Sequence, residues 1–561
     1  MTADAEATWD QIWYESLLLL RLFRDLGLLP LARPLLQPAN RALKEMGASD
    51  RYADRLETVE LQLDHLELSG TPQPAPAALI GIAERAAANL ARVLESGDEP
   101  APAIILLANI QRTADDLNVG LPMTVKDTLT RALSQAAGGV RALLEVVGSD
   151  DPTVGRVAAL AARLQAPRFA EDAGYDVRTL VVAARRLLAA DGDVEPATAI
   201  YAIEAMSDQA AKLPRGSKPD RLLDDADAPA KAAMEISKEG LSVVGLGLAE
   251  RGLFRIIAAG GHLGPATLES SDVFSSARLG DWRKTYPYAY KDAKAVDNEF
   301  FSSTDAIGVS DMPDRAVVVA SVDLQGFPLD LLRVGQHLAG RDRRLAAAPS
   351  LSWLLASRRQ PFRGDGRIAA WIPDAEPEEG LPTLAILSDR LRETFERHEV
   401  ALSNGTEPPS GLEGADLVIV AAHGGVAEDK RYFRVVTDDV DLALASSTVS
   451  GALAGVGVVV LFVCSGGRLD QHPGASTTVG LAKRLLDNGC RAVVAPPWPL
   501  QTSVPPRWLP AFLQSWSSGA PVIDACFEAN VAVRAELGDD PATDLAMAVY
   551  GDPLVRTSKK P

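Results

Sequence analysis

Two apolar runs decide how this chain folds: Asp416-Leu-Val-Ile-Val-Ala-Ala-His423-Gly-Gly425 and Val458-Val-Val-Leu-Phe-Val-Cys464-Ser-Gly-Gly467. Each is short, rich in β-branched residues and closed by glycine, the pattern of a strand buried on both faces of a parallel sheet. In open α/β sheets ligands bind beyond the carboxyl ends of the strands, and His423 and Cys464 both fall at such ends. Neighbouring strands lie about 4.8 Å apart, so the imidazole and thiol meet if these two strands pair. A cysteine in an apolar run is ordinarily a small core residue, and a lone histidine ordinarily a packed or solvated one. Their shared position makes them a candidate nucleophile pair. The glycines after each leave room for a substrate backbone and free N–H groups for an oxyanion.

With 561 residues the chain is too long for one core and divides into two or more domains. Its hydrophobic fraction of 47% and charged fraction of 23% are those of a globular protein. A net charge of −19 disfavours nucleic acid and anionic membrane as direct partners. The three cysteines, Cys464, Cys490 and Cys526, form neither a disulfide framework nor a paired metal-ligand spacing, as in a reducing compartment. Asp4, Glu6, Asp10 and Glu15 stand where a signal peptide has a basic region, and Arg21 and Arg24 interrupt the leucine run that follows. No stretch approaches the roughly 20 apolar residues that span a bilayer, so the cytoplasm is the expected location.

Residues 1–212 read as successive helices and are expected to form a regulatory or docking domain. Tyr52, Leu56, Val59, Leu63 and Leu66 make one apolar stripe, and a second long helix is expected over 124–147. Short breaks between helices fit a bundle or an α-solenoid; a tetratricopeptide-like period of about 34 residues is not evident, and both architectures stay open. A polar, Pro- and Gly-containing stretch over 213–234 reads as a linker. From 235 to 561 strands alternate with helices. A hairpin is expected over 241–259, and further strands over 316–322, 367–372, 417–422, 458–463 and 491–495, with helices over 383–397, 476–488, 506–516 and 521–537. This alternation predicts an α/β domain with a mostly parallel central sheet.

Other motifs fail on their own chemistry. Gly245-Leu-Gly247 has Glu250 where a dinucleotide fingerprint needs its third glycine, and no phosphate loop occurs. His398-Glu399 lacks the second histidine of a zinc helix, and His65, His262, His337 and His472 have no metal-like partner sets. Neither metal nor cofactor is expected.

With His-Gly and Cys-x-Gly at successive strand ends, the chain resembles the caspase/gingipain/separase clan of cysteine peptidases, and more closely the bacterial CHAT family (caspase-HetF-associated with tetratricopeptide repeats). The segments that carry the likeness are Gly326-Phe-Pro-Leu-Asp-Leu-Leu332, Ala348-Pro-Ser-Leu-Ser-Trp-Leu354, Ala421-Ala-His423-Gly424, Gly480 to Gly489, Arg491 to Pro499 and Tyr550-Gly-Asp-Pro553. Phe462-Val-Cys464-Ser-Gly466 departs from the caspase Gln-Ala-Cys-x-Gly, so aspartate specificity does not carry over.

The resemblance implies an endopeptidase acting on protein substrates, with Cys464 as nucleophile and His423 handling protons. It also implies an oxyanion hole of the Gly424 and Cys464 backbone N–H groups, and an extended substrate pairing beside 495–498. Pro497 and Trp498 then border the pocket, and Asp470, with Arg468 and Asp429 nearby, is a candidate for a charged first subsite. A protein activator docking on the helices, in a bacterial defence or regulated cell-death system, is the implied setting. A catalytically silent adaptor of the same fold, which only binds partners, is the alternative.

Overall fold

The computed structural model describes residues 9–559 apart from 10, 18, 22–28, 48–49, 70–74, 97–99, 118, 136–152, 156, 159–160, 162–179, 182, 190–191, 210, 214–221, 250, 287–297, 361, 374–382, 427–432, 437–442 and 472–477. Two units divide the chain, one of residues 1–179 with 473–475, the other of 180–472 with 476–561.

The first unit carries α1 (Leu36–Met46), α2 (Asp50–Ser69), α3 (Pro76–Ser96), α4 (Ala101–Asp116) and α5 (Met123–Gln135). Gly47 ends α1 in the left-handed conformation, φ 58°, that a helix C-cap favours in glycine. On α2, Leu56, Val59 and Leu63 join a core with Trp13, Leu17 and Leu20, and Tyr52 packs against it. Leu61 faces a second core with Leu79, Leu90, Ile104 and Leu107. The helix is therefore buried on two sides, and the expected stripe stops at Leu63: Leu66 is 40% exposed. The helix expected over 124–147 is present to Gln135 as α5; the remainder lies outside the described residues.

The second unit begins earlier than the expected boundary at 212. Helix α6 (Pro196–Met206) is buried along nearly its whole length and packs on strand β1 (Ser242–Ala249). The Gly-x-Gly of that strand makes this possible: a Cβ at Gly245 would lie 3.0 Å from Ile200, and one at Gly247 2.7 Å from Ile203. The stretch read as a linker over 213–234 contributes a short turn at Leu222–Asp224 and the start of α7 (Ala228–Ser237), whose Ala232, Ala233 and Ile236 are buried.

Besides five two-residue strands between 262 and 338, the remaining strands among the described residues are β2 (Gly252–Ala259), β3 (Arg315–Ala320), β4 (Arg344–Ala348), β5 (Ile368–Trp371), β6 (Ala401–Ser403), β7 (Leu417–Val426), β8 (Phe433–Val436), β9 (Ala443–Ala445), β10 (Val458–Val463), β11 (Asp470–Gln471), β12 (Thr478–Val479), β13 (Ala492–Ala495) and β14 (Ala548–Gly551). The central sheet runs β6-β5-β7-β10-β13-β14-β4-β3-β1-β2. Pairs within β6 to β13 are parallel, as are those from β14 to β1, but β13 meets β14 antiparallel. Two parallel blocks of opposite direction thus share one antiparallel seam. β1 and β2 close as the expected hairpin, with Ala249 opposite Gly252.

Helices α8 (Leu351–Arg359), α9 (Thr383–Arg397), α10 (Leu481–Asp487), α11 (Pro505–Ser517) and α12 (Val522–Leu537) lie between the strands. Buried Glu204 of α6 accepts from the backbone N–H groups of Leu351 and Ser352 at 2.7 and 3.0 Å and from the Ser352 hydroxyl at 2.6 Å, a carboxylate at the positive end of α8. Phe462 of β10 meets Trp508 of α11 edge-on at 5.8 Å, and Trp508 stacks on Phe512 at 4.6 Å. Trp508 also donates to Asn530 at 2.8 Å. Trp508→Ala is expected to cost about 3–5 kcal/mol, read as a lower urea midpoint, because it opens a cavity and strands the Asn530 amide.

Candidate active site

Leu417 to Ala422 and Val458 to Val463 are all 4% exposed or less, the consequence of a strand pair covered on both faces. β7 and β10 pair parallel from Leu417 opposite Val458 to Ala422 opposite Val463. This register ends one residue before His423 on β7 and one residue before Cys464 on the turn that follows β10. At His423 the strand changes partner and continues antiparallel to β8, with His423 opposite Val436.

Gly424 shows how closely the two strand ends approach. A Cβ there would lie 2.4 Å from Val463 Cγ1, 2.5 Å from the Cys464 carbonyl oxygen and 3.0 Å from its nitrogen, so no larger residue fits. Burial pushes the Cys464 thiol up, while backbone hydrogen bonding from Leu500, Cys464 itself and Gly424 works in the opposite direction. The sulfur also lies 4.0 Å from the Leu500 carbonyl. These partners surround the sulfur with main chain rather than with carboxylates.

The turn after the cysteine is strained and tightly held. Ser465 sits at φ 56°, a left-handed conformation uncommon outside glycine. Its N–H donates to the Trp498 carbonyl at 3.1 Å, and the Gly467 N–H to the Pro496 carbonyl at 2.9 Å. Gly467 is required by packing, since a Cβ there would lie 2.8 Å from both the Ala495 carbonyl and the Tyr550 ring. The expectation that the glycines after the cysteine admit a substrate gives way here to close packing of the turn on the seam.

Three further expectations are corrected. The carbonyls of Pro496 and Trp498 are taken by this turn and that of Pro497 by the Tyr286 hydroxyl, while the two prolines have no N–H. The segment therefore lacks the hydrogen-bonding edge that an added substrate strand needs. Trp498 does not border an open pocket: its ring is 0% exposed, packed among Phe300, Leu331 and Trp282, with its indole N–H 3.4 Å from the Ala542 carbonyl. Asp470 is not a free subsite charge. Arg468 clasps it, Nε at 3.1 and 3.0 Å from the two carboxylate oxygens and Nη2 at 2.9 Å, and the guanidinium lies 4.0 Å over the Tyr286 ring.

Pro497 and Gly467 line a small cavity of about 20 Å³ with Asp330 and Tyr550, room for about one water. Burial pushes the Asp330 carboxyl up to about 7, with Asp544 adding to the shift. Asp429 lies outside the described residues. Among the described residues no group of three or more His, Cys, Asp or Glu is placed to hold a metal, and no helix is long and apolar enough to cross a membrane. The sequence reading missed Tyr286 and the buried pairing of Arg468; a cation four residues after Cys464 in a Gly-rich turn was the available signal.

The three thiols differ in environment. Cys464 is partly exposed, whereas Cys490 and Cys526 are buried; burial pushes Cys490 up to about 12 and Cys526 well above its usual value. A raised pKa leaves little thiolate at neutral pH and gains it as pH rises. Iodoacetamide labelling of the full chain, read by mass spectrometry, is expected to modify Cys464 first, at a rate that climbs with pH to a midpoint above the roughly 8.5 of a free thiol.

Residues 311–545 match the CHAT domain family model. Among solved structures the chain is similar to Saccharomyces cerevisiae separase in its complex with securin, at 10% identity over 97% of this chain and 47% of that one, TM-score 0.48. It is also similar to the Arg-specific cysteine proteinase gingipain R, at 12% identity over 51% of this chain and 69% of that one, TM-score 0.30. The chain thus spans about half the length of the separase chain. No curated protein sequence matches it.

Proposed function

We propose that this CHAT-domain chain is a cysteine endopeptidase in which Cys464 is the nucleophile and His423 its general base and acid. The observation that supports this most directly is the β7–β10 register, which ends one residue short of both side chains. In the proposed reaction His423 takes the thiol proton as Cys464 Sγ bonds to the scissile carbonyl carbon. In this reading the oxyanion that forms accepts from the Gly424 and Cys464 backbone N–H groups. Collapse breaks the C–N bond, and His423 returns its proton to the departing amine; water then hydrolyses the thioester by the same route in reverse.

The thiol's burial favours a resting state of low reactivity, which fits a peptidase held in check until a protein partner engages the helical unit. A bacterial defence or regulated cell-death pathway is the setting we propose, on the strength of the CHAT assignment. The same burial also favours the second reading, a silent adaptor of this fold.

Incubating the full chain with a proteome-derived peptide library and sequencing new amino termini by mass spectrometry separates the two. Cleavage that Cys464→Ala or His423→Ala lowers by about a thousandfold or more supports the peptidase. No cleavage, together with Cys464 labelling no faster than Cys490 and Cys526, supports the adaptor.

A further inference from the structure

The segment that follows α6 reaches the nucleophile's support from behind. Asp208, two residues beyond that helix, is 0% exposed. Its carboxylate lies 3.6 Å from the ammonium of Lys483 on α10 and 3.5 Å from the Thr478 hydroxyl on β12, and its N–H donates to the Pro349 carbonyl at 3.1 Å. Lys483 is itself buried and bonds both oxygens of Asp487 at 2.7 and 2.6 Å. The backbone N–H of Lys212 donates to Asp487 at 2.9 Å. One buried cation is thus shared by two carboxylates, and the strap 208–212 touches both of them.

Helix α10 in turn supports the turn that carries Cys464. The Ala482 N–H in its first turn donates to the Gly466 carbonyl at 3.2 Å. A Cβ at Gly480 would lie 2.2 Å from the Arg468 carbonyl, so the start of the helix and the chain after the cysteine are in backbone contact. β12, which holds Thr478, pairs with β11, where Arg468 clasps Asp470. A second tie runs from the same region: Arg185 pairs with Asp323 of the short helix Val322–Gln325, which packs on β11.

We propose that Asp208 is a positioning residue for Cys464: through Lys483 and Thr478 it holds α10 and β12 in the placement that keeps the strained turn at Ser465 over the end of β10. The inference rests on the peptidase reading for its consequence in catalysis, but not for its geometry. Removing the Asp208 charge leaves Lys483 buried with one carboxylate in place of two, which loosens α10 and with it the Gly466 contact. The strap lies within a continuous stretch from the helices before β1, so displacement of 180–212 alters the thiol without any contact to it.

The test uses the full chain and measures Cys464 carbamidomethylation by iodoacetamide across pH, with Cys490 and Cys526 as internal references and circular dichroism as the folding control. Asp208→Asn is expected to change the Cys464 rate at pH 8 by about tenfold and to shift its pH midpoint, and Lys483→Met in the same chain is expected to bring the rate back to within about threefold. Thr478→Val, which removes only the hydroxyl contact and tolerates folding if the first variant does not, is expected to give a change of about threefold. A folded Asp208→Asn or Thr478→Val chain whose Cys464 profile overlays the wild type overturns the proposal, as does a change that Lys483→Met fails to reverse. Where the wild type cleaves no peptide, the peptidase reading falls while the labelling comparison still decides the role of Asp208.

Discussion

The parallel pairing of Leu417–Ala422 with Val458–Val463 is the constraint on which the site depends. Both strands are buried on both faces, so any slip in their register moves apolar side chains out of a filled core. The register that satisfies packing ends one residue short of both His423 and Cys464. Gly424 then fixes the separation, because its missing side chain lets the main chain of β7 lie against that of Cys464. Core packing and the chemistry of the strand ends are therefore set by one arrangement.

The antiparallel seam between β13 and β14 supplies the other half of the arrangement. It directs the segment after β13 under the cysteine turn, where the carbonyls of Pro496 and Trp498 hold Gly467 and Ser465. Those bonds offset the unfavourable φ at Ser465 and aim the turn. They also occupy the main-chain groups that an added strand would need along 496–498. A half-buried thiol among backbone groups is the result, with burial opposing the thiolate and N–H groups favouring it.

The readings that held rest on local patterns. β-Branched runs closed by glycine marked β10 at both ends and the start of β7, which runs four residues further than expected, and the helix patterns over 383–397 and 521–537 match α9 and α12 closely. The readings that changed concern partners. Helix α6 is buried along nearly its whole length, and only the cradle of Gly245 and Gly247 shows that its place is on β1, not among the N-terminal helices. The apolar face of α2 divides between two cores, which a single stripe cannot express, and Leu66 is left to solvent. Trp498 and Asp470 kept their places near the turn but lost their expected roles, one to packing and the other to Arg468.

By itself the sequence determined the strands and their direction of burial, because periodicity is a property of short segments. It also carried the ordered motifs from Gly326 to Pro553 that bear the family likeness. Only the tertiary structure decided which strands adjoin, that the sheet reverses at β13 and β14, that Tyr550 packs against Gly467 and Tyr286 bonds Pro497, and that Asp208 pairs with Lys483 far along the chain. Those placements arise from long-range pairing and from burying charged and aromatic groups together, and no window of sequence contains both partners.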